Sequence, residues 1–434
     1  MTYLLSYCEL SCNILLIDLL KGEIEMKKIS LIMKSILATI IFSTVTSTYN
    51  VQASTLAART SNKPFEIVSD MGVGWNLGDT FDSYTYDELW FDGSNPKEWE
   101  KSWGNVETTK EMIDKIKEAG FNTIRIPITW GPHMGQAPDY KIDDAWMNRI
   151  AEVVDYCMAD DIYTIINVHH DEKWCIPNYE NEEESIDKLT KLWTQLAVRF
   201  KDYDHNLIFE AINEPRELYP NNSDLEWKGT TESHDVVNKL NNAALNTIRV
   251  TGSNNAERTV IVPTYAASST DEAINDFVVP EDDHIIVSIH AYSPAIFAQS
   301  TEDEIPGMKE NLHGIIPDEY IEMIDWHALL CKWDTESNKK EITDAFDKFY
   351  NKFVSKGVPV VLGEFGAVNK NNTEDRAKHS AFYVSEAKKR GMACILWDNG
   401  KENFGFFDRQ NLNWFYPEIR NAIINAYNST EKLD

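Results

Sequence analysis

The sequence is short of positive charge. Its 41 lysines and arginines stand against 70 aspartates and glutamates, which leaves a formal net charge of -29 at neutral pH. Nucleic acids and anionic membrane surfaces are polyanions and would be repelled by such a chain. We therefore expect no nucleic acid and no membrane as a partner, and a neutral partner fits better.

Long apolar runs are also scarce outside the amino-terminal region. After residue 53 no stretch approaches about 18 consecutive apolar residues, so we expect no membrane span. Met26 precedes two lysines, an apolar stretch over 29–41 and a small-residue end at Ala53. This order predicts a secretory signal peptide over 26–53 and a secreted, extracellular mature protein. Residues 1–25 are interpreted as an upstream extension outside the mature protein, with an unusually long leader as the alternative.

Cysteines are few, and those after residue 53 are widely spaced. They lack the paired spacing of a zinc site. Cys157 falls in a helical pattern and Cys394 in an apolar strand, where buried free thiols are expected. A disulfide between Cys175 and Cys331 stays open as a possibility.

From residue 71 onward, short apolar segments alternate with amphipathic ones. The apolar segments predict eight strands, at 71–77, 121–129, 163–169, 207–213, 259–264, 285–290, 358–364 and 392–398. The amphipathic segments predict helices at 109–119, 144–159, 185–201, 233–250, 343–356, 374–389 and 416–427. Four glycines are placed to end helices: Gly120, Gly252, Gly357 and Gly391. Eight strands alternating with helices predict an α/β fold, the (β/α)8 TIM barrel.

The barrel is predicted to be one catalytic domain spanning residues 54–434, with a core over about 65–427. No internal repeat and no linker rich in serine, threonine or proline interrupts it, and we expect a monomer. The segment 299–340 is too long for an ordinary connection between strand and helix. We interpret it as irregular and as overhanging the active face.

Polar residues cluster where the predicted strands stop. Barrel enzymes place their chemistry at the carboxyl ends of the strands, so this clustering predicts an active site there. The residues concerned are Arg125, His169, His170, Asn213, Glu214, His290, Tyr292, Glu364 and Trp397. Thirteen tryptophans supply flat faces of the kind that carry sugar rings, although about half should belong to the core.

The motifs at these positions resemble, in order and spacing, those of glycoside hydrolase family 5. They are Gly74-Trp75-Asn76-Leu77-Gly78, Arg125-Ile126-Pro127, Asn167-Val168-His169-His170, Asn213-Glu214-Pro215, His290-Ala291-Tyr292-Ser293-Pro294 and Gly363-Glu364-Phe365-Gly366. Three motifs look like the subgroup of the family that acts on β-1,4-glucans, including xyloglucan and mixed-linkage glucan: Gly74-Trp75-Asn76-Leu77-Gly78, His169-His170-Asp171 and Trp397-Asp398-Asn399-Gly400. Asp79 departs from that subgroup, which commonly has Asn there. The resemblance implies an endo-β-1,4-glucanase whose partner is a polysaccharide.

Two glutamates carry the implied chemistry. Cleaving an acetal needs one carboxyl group to protonate the leaving oxygen and a second to stabilise the sugar cation. Strands four and seven lie across a narrow barrel, which can bring two side chains within the short separation of a retaining enzyme. The resemblance implies Glu364 as nucleophile and Glu214 as general acid and base.

Further residues have supporting roles. Arg125 can hold Glu364 ionised, and Tyr292 could donate its hydroxyl to the same carboxylate. Asn213 is placed to bind the sugar 2-hydroxyl, and His290 lies near enough in sequence to tune Glu214. Sugar contacts are expected from four residues: Asn76, His169, His170 and Trp397.

Three other interpretations are compatible with parts of the sequence. A β-mannanase on the same scaffold would keep both glutamates and change only the contacts around the 2-hydroxyl. A non-catalytic glucan-binding barrel is disfavoured because both glutamates and Arg125 are intact. The pair His169 and His170 invites a metal site, but no third ligand is apparent in the sequence, so we expect no metal and no cofactor.

Overall fold

The computed structural model of this protein describes residues 63–84, 95–219, 222–333 and 335–432. Eight parallel strands form a closed barrel in chain order, which confirms the predicted fold. The strands are β1 (Val73–Asn76), β2 (Thr123–Ile126), β3 (Tyr163–Asn167), β4 (Leu207–Glu210), β5 (Val260–Pro263), β6 (Ile285–His290), β7 (Val360–Phe365) and β8 (Ala393–Leu396). A two-stranded antiparallel ribbon, β9 (Phe407–Asp408) and β10 (Asn413–Trp414), follows the barrel.

Every residue of the eight barrel strands is buried, as expected of a parallel sheet covered by helices. Apolar side chains facing into the barrel form one cluster with the amino-terminal helix, whose Ile67, Val68 and Met71 pack against them. A much larger cluster joins the outer faces of the strands to the surrounding helices. The amino-terminal end of the barrel is therefore filled with apolar side chains, which leaves chemistry to the opposite end.

Helices surround the barrel. They are α1 (Lys63–Met71), α2 (Pro96–Ser102), α3 (Lys110–Glu118), α4 (Asp144–Met158), α5 (Glu182–Phe200), α6 (Ser223–Lys228), α7 (Thr231–Val250), α8 (Asp271–Asp276), α9 (Ala295–Ala298), α10 (Ile305–Leu312), α11 (Asp318–Ile321), α12 (Trp326–Cys331), α13 (Glu336–Lys352), α14 (Thr373–Lys389) and α15 (Pro417–Ser429). All seven predicted helices are present. The four predicted capping glycines have positive φ values, which glycine adopts readily at the end of a helix: +100° at Gly120, +71° at Gly252, +81° at Gly357 and +69° at Gly391.

The segment 299–340 is not irregular, and that part of the prediction was wrong. It holds α10, α11 and α12, which pack a small apolar cluster of their own around Ile321, Trp326 and Leu330. Helix α13 begins seven residues before its predicted start, at Glu336, where the Thr335 side chain caps it by accepting from the Asn338 amide. The prediction missed α10, α11 and α12 because helices of four to eight residues are too short to show a clear 3.6-residue period.

The described cysteines are all buried and free, so the possible Cys175–Cys331 disulfide is not formed. Among the described residues, no helix combines the length and apolar character needed to cross a membrane. The predicted extension and signal peptide, residues 1–53, lie outside the described residues.

Candidate active site

Arg125 on β2 lies at the centre of the carboxyl end of the barrel, with its side chain only 1% exposed. Its guanidinium donates to four side chains. Nε lies 2.7 Å from Glu210 Oε2, and Nη2 lies 2.6 Å from Asn213 Oδ1. Nη1 lies 2.9 Å from both Asn76 Oδ1 and Glu364 Oε1. Four acceptors around one planar cation fix its orientation and, through it, that of Glu364.

Glu364 on β7 receives a second hydrogen bond from the opposite side. The hydroxyl of Tyr292 donates to Oε2 over 2.8 Å. A register irregularity in β6 sets His290 directly across from Glu364. Burial raises the pKa of Glu364, while the charges of His290 and Arg125 limit the rise. Both carboxylate oxygens thus have a donor, as an oriented, ionised group needs.

Glu214 follows β4 and has different neighbours. His290 Nδ1 lies 2.8 Å from Oε1, and Arg216 Nη1 lies 3.2 Å from Oε2. Burial alone would raise the pKa of Glu214, but the hydrogen bond from His290 and the charges of His290 and Arg216 together lower it. The pKa of His290 is raised by Glu364 and Glu214 against the effect of its burial. Both shifts favour a protonated His290 beside an ionised Glu214, and the two groups titrate together.

Arg216 was missed by the sequence reasoning. Beyond Glu214, it lies 3.2 Å from Glu172 Oε1 and 3.2 Å from Glu226 Oε1, and its guanidinium stands over the ring of Trp227. It directly continues the Asn-Glu-Pro tripeptide that was singled out, so a cation next to a candidate acid was visible in the sequence. Glu172 gave no such signal, since it comes from the loop after β3.

His169 follows β3 and is held in one tautomer. The amide nitrogen of Asn167 donates to Glu210 Oε2 over 3.0 Å and lies 3.0 Å from His169 Nδ1, while the amide oxygen accepts from the Ile128 backbone. An N–H facing Nδ1 makes that nitrogen the acceptor, so the proton of the neutral ring is on Nε2. Burial, followed by the charge of His170, keeps the pKa of His169 well below its usual range.

The two adjacent histidines do have a third potential metal ligand, which the sequence did not reveal. Asp82 brings a carboxylate oxygen within 4.8 Å of a ring nitrogen of each. Its two oxygens, however, accept from the Thr80 and Asp79 amides at 2.7 and 3.0 Å. His169 offers Nε2–H rather than a lone pair, because Asn167 fixes its tautomer. His169 is therefore better suited to donate a hydrogen bond than to coordinate a metal ion.

Trp397 follows β8 and is half-buried. Its ring is nearly parallel to that of His169, at 6° with centroids 5.9 Å apart, and it packs on Gly78, where a Cβ would lie 2.8 Å from the indole. His170 makes edge contacts with His169 and Tyr84. Its pKa is raised because Glu172 and Asp82 outweigh the effect of burial.

Asn76 corrects a prediction. It was expected to contact the sugar, but it is fully buried, and its amide nitrogen donates to the backbone carbonyls of Gly363, Ile395 and Leu396 at 3.1 to 3.4 Å. Its oxygen accepts from Arg125. The Asn76 side chain therefore helps to fix the Arg125 guanidinium, and both of its polar atoms are already bonded to protein groups rather than free for a substrate. Glu210, which balances the other side of Arg125, was not predicted because it lies inside an apolar strand.

Comparison with known proteins gives this site a family. The family described as "Cellulase (glycosyl hydrolase family 5)" matches residues 82–403. Endoglucanase A of Clostridium longisporum is 45% identical over 400 residues, covering 90% of this chain and 70% of its own. A "GH5-4 broad specificity endoglucanase from Clostridium acetobutylicum" of known structure is 46% identical, with a TM-score of 0.71 over 83% of this chain and 99% of its own. The structure of XEG5A, "a GH5 xyloglucan-specific endo-beta-1,4-glucanase", is 34% identical, with a TM-score of 0.73 over 84% and 99% of the two chains. The chain therefore belongs to the cellulase family, glycosyl hydrolase family 5, and is a glycoside hydrolase.

Proposed function

We propose that this protein is a secreted, retaining endo-β-1,4-glucanase that acts on cellulose-type glucans and also on xyloglucan and mixed-linkage glucan. Glu364 is the nucleophile and Glu214 the general acid and base. The breadth of substrate is supported by similar proteins of known structure, which include a broad-specificity endoglucanase, a lichenase and a xyloglucan-specific enzyme.

The observation that carries the proposal is the closeness of the two carboxylates. One oxygen of Glu214 and one of Glu364 lie within 4.8 Å of each other. Retaining glycosidases keep their carboxyl groups about 5 Å apart, whereas inverting enzymes need roughly 6.5 to 9.5 Å to admit a water between them. A separation this short supports direct attack by one carboxylate and covalent catalysis.

In the first step, Glu364 attacks the anomeric carbon while the leaving oxygen takes a proton from Glu214. That proton comes along the 2.8 Å bond from His290, which leaves the histidine neutral. Arg125 and Tyr292 keep the attacking carboxylate ionised and aimed. In the second step, Glu214 removes a proton from water, which attacks the glycosyl-enzyme and restores the original configuration.

The sugar at the cleavage point is held by groups around the two carboxylates. Asn213 binds the 2-hydroxyl, with its oxygen fixed by Arg125. The Nε2–H of His169 points a donor at a hydroxyl, and His170 lies beside it. Trp397 is the platform under the ring, with its indole fixed against Gly78.

Azide separates the two glutamates experimentally. On an aryl cellobioside with an acidic phenol, Glu214→Ala should still form the glycosyl-enzyme, because that leaving group needs no proton. Added azide then attacks without a base and gives the β-glycosyl azide. Glu364→Ala should be inactive alone and give the α-azide by direct attack. Exchanged products would reverse the roles, and a loss of glucan hydrolysis below about tenfold in both variants would refute the mechanism.

Substrate preference is tested by comparing carboxymethylcellulose, barley β-glucan, xyloglucan and mannan as substrates. The proposal expects release of reducing sugar from the three glucans and little from mannan. Viscosity should fall faster than reducing ends accumulate, because cleavage is internal. Cellobiose as the dominant product from the first time points would contradict internal cleavage, and a preference for mannan would make the enzyme a mannanase.

Secretion and processing are part of the proposal. Residues 26–53 are the signal peptide, and the mature domain begins near Ser54. Amino-terminal sequencing of the secreted protein should read from this position. A secreted form that begins at Met1 would contradict the assignment.

A further inference from the structure

His290 has one nitrogen without a hydrogen-bond partner among the described residues. Nδ1 faces Glu214, but Nε2 is buried and unpaired. The hydroxyl of Ser288, two residues earlier on β6, is also buried and unpaired within the same described ranges. Buried polar atoms are rarely left unsatisfied, because they lose their hydrogen bonds to water without a replacement. Two such atoms next to a reacting group indicate a function.

Both atoms pack on the same glycine. A Cβ added to Gly363 would lie 2.7 Å from His290 Nε2 and 2.8 Å from Ser288 Oγ. Real side chains do not approach so closely, so only glycine allows both groups to occupy this place. The two atoms are therefore neighbours over the Gly363 backbone, close enough for one water molecule to join them.

The protonation state of His290 determines whether Nε2 donates or accepts a hydrogen bond. When His290 is protonated, both ring nitrogens carry hydrogen. When it has passed its Nδ1 proton to Glu214, Nδ1 becomes the acceptor and Nε2 still carries hydrogen. Nε2 is therefore a donor in both states that hold the catalytic proton, and its partner must be an acceptor.

We propose that Ser288 is a positioning residue whose hydroxyl accepts the hydrogen bond of His290 Nε2–H through a single bridging water molecule and so holds the catalytic proton on the pair of His290 and Glu214. The inference rests on the proposed role of Glu214. It deepens that role by assigning the residue behind the histidine.

The charged and titratable groups that face His290 come from four other places in the barrel. They are Glu214 after β4, Glu364 on β7, Arg125 on β2 and His169 after β3. None of these four groups makes a hydrogen bond to Nε2. Ser288 is thus the polar side chain that the structure places on that side of the ring.

The sign of the effect follows from charge. A hydrogen bond from a cationic imidazole is stronger than one to a neutral ring, so the Ser288 hydroxyl stabilises the protonated pair more than the deprotonated pair. Removing the hydroxyl lowers the apparent pKa at which the pair loses its proton. The alkaline limb of the kcat/KM profile should then move to lower pH.

Ser288→Ala tests this directly on a natural glucan. We expect the alkaline limb to move down by about half to one pH unit, with a smaller change in the maximal rate. Ser288→Thr keeps the hydroxyl and should restore the wild-type profile. Thr259→Val is the matched control, because Thr259 also has a buried, unpaired hydroxyl within the described residues but lies at the start of β5, away from the site. An unmoved limb in Ser288→Ala overturns the proposal.

A second variant and a second measurement do not depend on Ser288→Ala folding. Ser288→Cys preserves the shape but accepts hydrogen bonds weakly, so it should move the limb in the same direction. In wild-type enzyme labelled with ¹⁵N-histidine, the His290 signal, assigned by its loss in His290→Gln, should show Nε2 protonated at the pH of maximal activity. An unprotonated Nε2 there overturns the proposal. This spectrum needs no turnover, so it also separates failure of the inference from failure of the Glu214 assignment, which the azide products test.

Discussion

The two catalytic glutamates have different surroundings, which are here called the nucleophile end, around Glu364, and the acid/base end, around Glu214. Glu364 receives one donor on each oxygen, from Arg125 and Tyr292, and neither donor changes its charge in the ordinary pH range. Glu214 instead faces His290, which titrates, and Arg216 at the longer distance of 3.2 Å. The two donors at the nucleophile end thus keep their charge and position, whereas the acid/base end can gain and lose a proton.

This difference matches what each carboxylate has to do. A nucleophile needs one protonation state and one orientation throughout the reaction. A group that donates a proton in one step and removes one in the next needs a partner that moves with it. The structure thus predicts opposite signatures for variants at the two ends. Changes around Glu364 should lower the rate and leave the alkaline limb of the pH profile in place, whereas changes around Glu214 should move that limb.

Arg125→Ala should have the largest effect. It leaves Glu364 and Glu210 buried without their shared cation, and it releases Asn213 and Asn76. We expect kcat to fall by about a thousandfold or more at all pH values, for natural and activated substrates alike. Steady-state kinetics on both substrate types measure this.

Arg149→Ala provides the matched control for lost stability. Arg149 is also buried and also donates twice to a carboxylate, that of Glu100, at 2.7 and 3.0 Å, but it lies on α4 outside the barrel. It should lower the melting temperature as Arg125→Ala does, while the folded enzyme keeps its kcat. A comparable loss of kcat in both variants would mean that Arg125 acts through stability alone.

Tyr292→Phe should have a smaller effect at the same end. It removes the 2.8 Å bond to Glu364 Oε2 and leaves the arginine in place. Loss of one donor at a reacting carboxylate should lower kcat by about ten- to a hundredfold. The acid limb of the pH profile should move to higher pH, because the Tyr292 hydroxyl helps to lower the pKa of Glu364, and the alkaline limb should keep its position. A displaced alkaline limb would show that the nucleophile end also governs the proton.

Arg216→Met tests the acid/base end. Arg216 lowers the pKa of Glu214, so its removal should move the alkaline limb to higher pH, opposite in sign to Ser288→Ala. We expect a loss in kcat of about tenfold at the optimum, because Glu172 and Glu226 also lose their partner. Profiles of kcat/KM measured side by side decide the sign. Movement in the same direction as in Ser288→Ala would contradict the described charge balance.

The sequence predicted the residues whose chemistry is visible at strand ends. Eight apolar segments gave the barrel, and the parallel arrangement made the polar residues after them converge. Asn76 was misjudged because a sequence does not reveal that an amide at a strand end turns inward to three carbonyls. Glu210 stayed hidden within an apolar strand, and the short helices of 299–340 were below the length at which periodicity is detectable. These features depend on tertiary contacts rather than on local sequence.

Substitution of Asp79 should have the smallest effect. It tests whether a third carboxyl group, besides those of Glu214 and Glu364, accounts for the pH profile. Burial, and after it the charge of Asp82, raises the pKa of Asp79 to about 7, against the opposing charges of Arg409, Lys401 and His170. Its φ of +54° favours Asn as well as Asp, so Asp79→Asn should fold normally. If the pair of Glu214 and His290 alone sets the alkaline limb, this variant keeps the limb in place and changes kcat by less than about threefold.

Stability gives the second measurement for Asp79. A carboxyl group whose pKa is raised on folding stabilises the folded state fully only below its unfolded pKa of about 4, and this contribution is lost as the pH rises through the folded value of about 7. Asp79→Asn should therefore raise the melting temperature at pH 8 relative to the wild type and have a smaller effect at pH 5. If Asp79→Asn instead moved the alkaline limb of kcat/KM as far as Ser288→Ala does, the group that titrates in this limb would be Asp79. The pH profile would then no longer distinguish the acid/base end from the nucleophile end.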